Sequence, residues 1–330
     1  MGRFLPGHVV RKWAVVVTFA VVCVVFISSP PARANGFEAR GTEPVEIIGA
    51  DGPVARYMHR FSEDDFENTF KTFLHVVDPL NGKELTSDPR QGGKYPHHRG
   101  IFIGWNNITV DGESYDLWHM GDGERIVHVS FDGSLADFSE THTLRSINHW
   151  QTPEGRTLIE ETREYRFAEP PTDEGIVQID VTSTLEAVAS SDVALRGDPE
   201  HAGTQYRPHD DVAANQSATY IFPEGAFDSE SPSNDEINSK EGLPWVAQTH
   251  TIRGEQFCVQ LMNHPDNPDD SVFSAYRNYG RFGPYFERTL SPGESITVSH
   301  RVIVKRGAAP DRSVLESLYQ NFADSAVKSP

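Results

Sequence analysis

At residues 175–188 the chain reads GIVQIDVTSTLEAV, a stretch in which apolar and polar side chains alternate. Successive side chains of a β-strand point to opposite faces, so every second residue shares a face. One face of this stretch carries Val177, Ile179, Val181 and Leu185, and the other carries glutamine, aspartate and threonine. The pattern predicts a strand of an antiparallel sheet that buries one face and exposes the other.

The same alternation recurs along the chain between turn-forming residues. Residues 295–305 repeat it and place His300 on the apolar face, where we expect a buried, hydrogen-bonded histidine. Residues 143–151 and 156–167 flank a Thr-Pro-Glu-Gly turn, which predicts a hairpin. Short strands separated by turns favour two packed sheets over alternating strands and helices. The sequence therefore predicts an all-β fold, a two-sheet β-sandwich.

Two segments are expected to depart from the strand pattern. Near the C-terminus, one apolar stripe at helical spacing predicts a short helix that packs against the sheet edge. The stripe consists of Leu315, Leu318, Tyr319 and Phe322. Residues 226–243 are rich in serine, aspartate, glutamate, proline and asparagine, and we expect a disordered surface loop there.

The first 34 residues are expected to be an export signal. Basic residues precede a 15-residue apolar stretch at residues 13–27, and an Ala-Arg-Ala sequence follows. That stretch is shorter than the ~20 residues that span a bilayer, and small residues at its end are typical of signal cleavage. A retained membrane anchor is the alternative. Residues 35–330 are then a single domain, which we expect in the periplasm or outside the cell, free of the membrane.

The charge of the chain limits the partners that it can bind. Residues 1–34 hold four of the 29 basic residues and none of the 48 acidic residues, so cleavage changes the net charge from −19 to −23. This surplus of negative charge repels nucleic acid. It favours a neutral or cationic small molecule or glycan, unless arginines locally reverse the field.

The first group of candidate site residues lies in YPHHRGIFIGWN, residues 95–106, and DLWH, residues 116–119. Imidazole, with a usual pKa of about 6.5, transfers protons or binds metals, and indole offers a flat apolar face with one polar NH. Together these residue types predict a pocket wall. Its candidate members are His97, His98, Arg99, Trp105, Asn106, Trp118 and His119. Adjacent residues of a strand point to opposite faces, so only one of His97 and His98 is expected to face the pocket, and we favour His98.

Two further groups follow later in the chain. Gln205 and Arg207 share one face of a predicted strand and are candidates to hydrogen-bond a hydroxylated or carboxylated ligand. A surface salt bridge is the alternative for Arg207. In NHPDNP, two prolines hold His264 in a stiff loop, which suits a reactive side chain but also a simple tight turn. Arg277 and Tyr279 are further ligand-binding candidates.

Known catalytic and metal motifs are largely missing from the sequence. His98, His119 and His264 could form a three-imidazole metal site. No H-x-H, H-E-x-x-H or paired-cysteine spacing supports this alternative, so no cofactor is expected. The sequence also lacks a G-x-S-x-G elbow, a Walker loop and a dinucleotide fingerprint, which argues against serine hydrolases, nucleotide enzymes and Rossmann dehydrogenases.

In combination, four motifs resemble those of a PmoA-like family of secreted bacterial proteins. They are PHHRGIFIG at residues 96–104, DLWH at 116–119, GTQYR at 203–207, and HPDNP at 264–268 with a later Tyr-Gly pair. The resemblance implies an exported all-β protein of the galactose-mutarotase-like supersandwich type, a fold that often handles sugars. The family carries a methane-oxygenase label. Methane oxidation in a bilayer is not expected, because residues 35–330 contain no apolar run near 18 residues.

These observations favour a carbohydrate-active protein. Trp105 or Trp118 would stack on a sugar, the arginines and amides would bond hydroxyls, and His98, His119 or His264 would transfer protons. Clustered histidines and arginines suit epimerase, mutarotase or lyase chemistry better than hydrolysis by paired carboxylates. One alternative is a non-catalytic glycan-binding module that uses the same aromatic and basic residues. Another is a metal-dependent oxygenase or hydrolase.

Overall fold

The computed structural model describes four stretches of the chain: residues 1–3, 36–93, 95–275 and 278–325. The export signal predicted for residues 1–34 therefore lies almost entirely outside the described residues. All of the described strands fall within one compact unit, Asn35–Pro330. Among the described residues, no helix has both the length and the apolar character needed to cross a membrane.

Strands make up most of the described secondary structure, and their ladders are antiparallel. In chain order the strands are β1 (Glu38–Arg40), β2 (Val45–Gly49), β3 (Gly52–Met58), β4 (Phe73–Asp78), β5 (Lys83–Glu84), β6 (Ile101–Trp105), β7 (Asn107–Val110), β8 (Glu113–Tyr115), β9 (Arg125–Phe131), β10 (Thr143–Gln151), β11 (Thr157–Ala168), β12 (Gly175–Ala187), β13 (Val193–Arg196), β14 (Ala202–Tyr206), β15 (Thr219–Ile221), β16 (Trp245–Ile252), β17 (Glu255–Asn263), β18 (Val272–Ser274), β19 (Gly283–Tyr285), β20 (Arg288–Leu290) and β21 (Ser295–Arg306).

Two large sheets form a sandwich. The first has the order β1-β2-β3-β4-β6-β14, with β5 beside β4, and the second has the order β15-β16-β17-β21-β12-β11-β10-β9. The main apolar core lies between them and takes Val45, Leu74 and Val76 from the first sheet and Ile179 and Val302 from the second. Burial alternates along β12 as its sequence predicts. The predicted all-β, two-sheet fold is confirmed.

A smaller sheet, β20-β13-β7-β8, covers part of the second large sheet and encloses a separate apolar core. This core joins Ile108 and Leu195 of the small sheet to Leu158, Leu185 and Val298 of the large one. A two-stranded sheet, β18-β19, completes the described strands. The predicted hairpin is confirmed as β10 and β11, which pair from Thr143 with Arg166 to Gln151 with Thr157.

The described helices are short except for the last one. They are α1 (Phe66–Thr69), α2 (Phe138–Thr141), α3 (Asp210–Asn215), α4 (Asn234–Asn238) and α5 (Arg312–Ala323), with 3-10 turns at Glu63–Asp65, Pro89–Gln91 and Leu135–Asp137.

The C-terminal helix α5 confirms the predicted apolar stripe, since Leu315, Leu318 and Phe322 are buried. The helix packs on Trp245, Met262 and Ile303 of β16, β17 and β21. It therefore covers a face of the second large sheet, and the expectation that it would pack against a sheet edge was wrong.

The segment expected to be a disordered loop, residues 226–243, contains α4. Ser233 and Glu236 form a complete capping box at its start, in which each side chain bonds the other residue's backbone NH. Ile237 is buried in the main core. Local hydrogen bonds and one apolar anchor therefore order part of this polar segment.

Candidate functional site

A turn places the two adjacent histidines at one end of the first sheet. The His98 backbone NH donates to Tyr95 O at 3.0 Å, and β6 begins only at Ile101. Gly100 has a φ of +43°, and a Cβ at this position would lie 2.3 Å from Leu74 O, so the close approach needs glycine. Because the histidines precede the strand, the expectation that they point to opposite faces was wrong.

Four imidazoles lie in a row, which we call the histidine row: His98, His97, His119 and His201. Their ring centroids are 4.2 Å apart between His98 and His97, 4.5 Å between His97 and His119, and 4.8 Å between His119 and His201. His98 is buried, whereas the other three are half-buried. The row therefore runs from the protein interior to its surface, and three of its rings are open to a ligand.

Two aspartates orient the outer histidines of the row. Asp116 Oδ2 lies 2.8 Å from His119 Nδ1, and Asp198 Oδ1 lies 2.9 Å from His201 Nδ1. Burial alone would raise the pKa of each carboxyl group, but the hydrogen bonds from its histidine outweigh that effect, and the pKa of Asp198 falls to about 2. Each carboxylate thus accepts the Nδ1 proton and leaves Nε2 free to exchange a proton.

The inner histidines of the row are held in the neutral form. Burial, together with the charges of Lys71, His119, His201 and Arg281, lowers the pKa of His97 to about 2. Burial also lowers the pKa of His98 well below its usual value. Neither ring nitrogen of His98 has a hydrogen-bond partner among the described residues. A neutral imidazole has one donor and one acceptor nitrogen, so His98 keeps an unused capacity for both.

Trp118 forms the wall behind the row. Its ring is fully buried and lies 6.0 Å from His98 and 6.1 Å from His201. Two cations also contact this ring, with Lys71 Nζ at 5.7 Å and Arg281 Cζ at 5.5 Å from its centroid. The wall is therefore an aromatic ring with two basic side chains packed against it.

A cavity of about 760 Å³ approaches the row at its His98 end, and none of the four histidines of the row lines it. Tyr95 and Tyr279 line it, together with Gln91, His209 and Asp210. The Tyr279 ring is nearly parallel to the ring of His98, at 6.0 Å and 12°. Tyr279 therefore lies between the cavity and His98. Arg277, the other candidate in that segment, lies outside the described residues.

Several predicted ligand-binding residues are instead bonded within the protein. Trp105 belongs to the smaller core, and its Nε1 donates to Phe286 O at 2.9 Å. Gln205 is fully buried and bonds Arg281, and Arg207 is fully buried and bonds Asp210 and Tyr279 O. These three side chains have no surface to offer a ligand, so their prediction as direct contacts was wrong.

Two other candidates support the site from outside it. Arg99 is fully buried, stacks on Phe70 at 3.7 Å and donates to backbone oxygens, which fixes the base of the His98 turn. Burial lowers its pKa to about 9. Asn106 donates to Asp198 Oδ2 at 2.9 Å, so it helps to hold the carboxylate that orients His201.

His264 lies under helix α5, apart from the contacts of the histidine row. Its Nδ1 accepts from the Asp266 NH, its Nε2 donates to Ser325 O at 3.1 Å, and its ring packs on Phe322. The predicted convergence of His264 with His98 and His119 was therefore wrong, and with it the three-imidazole metal site. Within the described stretches no three His, Cys, Asp or Glu side chains are arranged to hold a metal ion.

The sequence analysis missed Lys71 and His201. His201 had a usable signal, because Asp198 precedes it by three residues as Asp116 precedes His119. Lys71 had none. It lies in a segment without other site residues, and only the tertiary structure brings it to Trp118.

Residues 45–320 match the model of a family described as a family of unknown function, DUF6807. The chain belongs to this family. The resemblance to a PmoA-like family was therefore wrong as an assignment, because the model that matches is that of DUF6807. None of the curated proteins matches the chain.

Among solved structures, the chain is similar to three kinds of protein. A putative aldose 1-epimerase from Escherichia coli K12 has 11% identity and a TM-score of 0.37, with 82% of this chain and 99% of that chain covered. A galactose mutarotase-like protein from Clostridium acetobutylicum has 7% identity and a TM-score of 0.35, with 82% and 98% covered.

A polysaccharide lyase has 11% identity and a TM-score of 0.37, and the similarity covers 86% of this chain but only 34% of the lyase. The chain thus spans about a third of the length of that enzyme. All three TM-scores are below 0.5, so the description of the fold rests on the strands of this chain, and these similarities carry no argument about its activity.

Proposed function

We propose that this protein is an exported carbohydrate-active enzyme that transfers protons on a sugar at the histidine row. The observation that carries this proposal is the pair of aspartate-held histidines, His119 and His201, with ring centroids 4.8 Å apart. One imidazole can remove a proton from a sugar C–H or O–H group while the other returns a proton to oxygen or carbon. Epimerisation, mutarotation and lyase chemistry can all use such a pair.

The surroundings of the row suit a sugar ligand. Tyr95 and Tyr279 line a cavity of about 760 Å³ next to the row, which is within the usual size range of small-molecule sites. Their rings are 5.3 Å apart, and Tyr95, which is half-buried whereas Tyr279 is buried, would offer an apolar surface against which the C–H face of a sugar packs. The fully buried ring of Trp118 packs against His98 and His201 on the interior side of the row. The proposal of export rests on the leader sequence in residues 1–34.

The test is proton exchange on a panel of aldoses and sugar acids in D₂O, followed by proton NMR. We expect deuterium incorporation or accelerated anomeric equilibration with at least one sugar. The variants His119→Asn and His201→Asn should each slow the reaction about 10²-fold or more. His149→Asn is the matched control, since His149 also pairs with a carboxylate, Glu160 at 3.1 Å, but lies on β10. An unchanged rate in the double variant of His119 and His201 would show that the row does not transfer protons.

A non-catalytic glycan-binding module is the second candidate, and the two tyrosines on the cavity favour it. In that case a sugar binds without any proton exchange. Binding is then lost in Tyr279→Ala and kept in His119→Asn. The same panel, measured by titration calorimetry, separates this outcome from catalysis.

A further inference from the structure

Three fully buried cations near the proposed site have only neutral hydrogen-bond partners. Lys71 Nζ donates to Trp118 O at 2.5 Å, and Arg281 donates to Gln205 Oε1 at 2.9 Å and Ser274 Oγ at 3.2 Å. Arg99 donates to the backbone oxygens of Pro96 and Glu67. Within the described stretches, none of the three forms a salt bridge to a carboxylate.

Elsewhere the chain pairs its buried cations. Arg163 is 1% exposed and donates to both oxygens of Glu161, at 2.7 and 2.6 Å. Arg207 is also fully buried and bonds Asp210 at 3.1 Å. A buried charge without an opposite charge is costly, and proteins normally pair it. Burial lowers the pKa of Lys71 well below its usual value and that of Arg99 to about 9, so the surrounding protein does not stabilise their charged forms. An anion supplied from outside the chain would stabilise them, and the three basic groups therefore mark a place where such an anion can bind.

Two of these basic groups, Lys71 and Arg281, both lower the pKa of His97. Both Lys71 and Arg281 lie against the Trp118 ring, and both act on His97, the half-buried ring in the middle of the row. Asp116 is the carboxylate whose charge favours the charged form of Lys71. Its oxygens, however, already accept hydrogen bonds from His119 and from the backbone NH of Trp118. A ligand anion beside His97 would thus lie near the basic side chains of Lys71 and Arg281, in a row with the imidazole rings of His119 and His201.

We infer that the histidine row binds the negatively charged group of a monoanionic sugar, a uronic acid or a sugar sulfate ester. This inference rests on the proposed function, because it names the ligand class of the same site. The half-buried row favours a single charge, because the cost of taking an anion out of water grows with the square of its charge, whereas its attraction to the basic groups grows only in proportion to the charge. The basic side chains near the row therefore favour an anion there, although the chain as a whole has a net charge of −19.

The decisive experiment compares the affinities of glucose, glucuronate, glucose 6-sulfate and glucose 6-phosphate by titration calorimetry of the whole protein at low salt. We expect glucuronate or the sulfate ester to bind about tenfold or more tightly than glucose, and the tighter of the two identifies the source of the charge. Equal affinity for glucose and both monoanions overturns the inference. Tighter binding of the phosphate than of either monoanion overturns it as well.

A charge-reversal variant tests the position of the anion. His97→Glu places a negative charge where we locate the ligand anion, on a half-buried side chain whose replacement the fold should tolerate. We expect it to lower the ratio of the affinity for the monoanionic sugar to the affinity for glucose about tenfold or more. His149→Glu is the control with the same charge change on β10. Equal loss in both variants, or no loss in His97→Glu, overturns the placement.

This experiment separates the inference from the proposed function. Proton exchange on glucose with no preference for monoanions leaves the function standing and removes the inference. Tight binding of glucuronate with no proton exchange keeps the anion site and removes the catalytic proposal.

Discussion

Among individual residues, the buried histidines fall into two kinds. His264 and His300 have hydrogen-bond partners, with His300 Nε2 3.3 Å from Asn267 Nδ2. His98 and His250 have none among the described residues for either ring nitrogen. An unpartnered buried imidazole stays neutral, and it favours unfolding when the medium becomes acidic. His98 belongs to the proposed ligand site. His250 does not, and its ring packs inside the protein, 6.3 Å from the ring of Phe257.

The substitution His250→Phe should reduce the acid sensitivity of the fold. Burial lowers the pKa of His250 to about 3, so between pH 6.5 and 3 the unfolded chain binds a proton that the folded chain does not. Stability is therefore present above pH 6.5 and is lost as the pH falls. The loss from pH 7 to pH 5 should be about 2 kcal/mol smaller in the variant.

Urea unfolding at pH 7 and pH 5 measures this difference. Phe257→Leu, which changes the ring that packs on His250, should lower the free energy of unfolding by similar amounts at both pH values. A His250→Phe variant that loses as much stability on acidification as the parent would contradict the assignment of a neutral, buried His250.

Individual site residues were predictable from sequence where they shared a motif. His98, Trp118 and His119 all lie within 25 residues of one another, and their residue types were sufficient to indicate a site. Trp105 belongs to the same motif but points into the smaller core, because it lies within β6 and packs against Trp150 and Phe286. Residue type alone does not separate an indole on a pocket wall from an indole in a core.

Among secondary-structure elements, helix α5 explains the position of His264. The helix ends over the loop after β17, and the carbonyl of Ser325 accepts the His264 Nε2 proton. The sequence placed both the loop and the helix correctly but gave no indication that they meet. A stiff loop with a histidine therefore looked like a reactive loop, although its histidine holds the end of a helix.

The substitution His264→Ala should lower stability and leave the proposed reaction intact. It removes the hydrogen bonds to Ser325 O and to the Asp266 NH and the contact with Phe322, which should cost about 1–3 kcal/mol in the free energy of unfolding. Urea unfolding gives the stability change, and NMR gives the rate of proton exchange. Loss of proton exchange in a folded His264→Ala protein would return His264 to the catalytic candidates.

At the level of the whole molecule, the alternation of apolar and polar residues was sufficient to predict two packed sheets. It did not predict the small sheet β20-β13-β7-β8, because strands of three or four residues are too short for an alternating pattern to be recognised in the sequence. It also missed a charged link between the large sheets. On β11, Glu161 and Arg163 occupy the same face as Ile159, Tyr165 and Phe167, and all five are buried.

This link should act as one unit in holding the sandwich together. Arg163 bonds Glu161 on its own strand and Thr72 Oγ1, at 3.0 Å, next to β4 of the opposite sheet. Either Glu161→Leu or Arg163→Met leaves one buried charge unpaired and should cost about 3–5 kcal/mol in the free energy of unfolding. The double variant should cost at least about 2 kcal/mol less than the sum of the single variants, because no charge then remains unpaired.

Arg145 and Glu164, a half-buried ion pair across β10 and β11 at 2.7 Å, provide the matched double-mutant cycle, and the coupling energy of this pair should be about 1 kcal/mol or less. Equal coupling energies in the two cycles, measured by urea unfolding, would mean that the buried pair joins the sheets no more strongly than a pair at the surface.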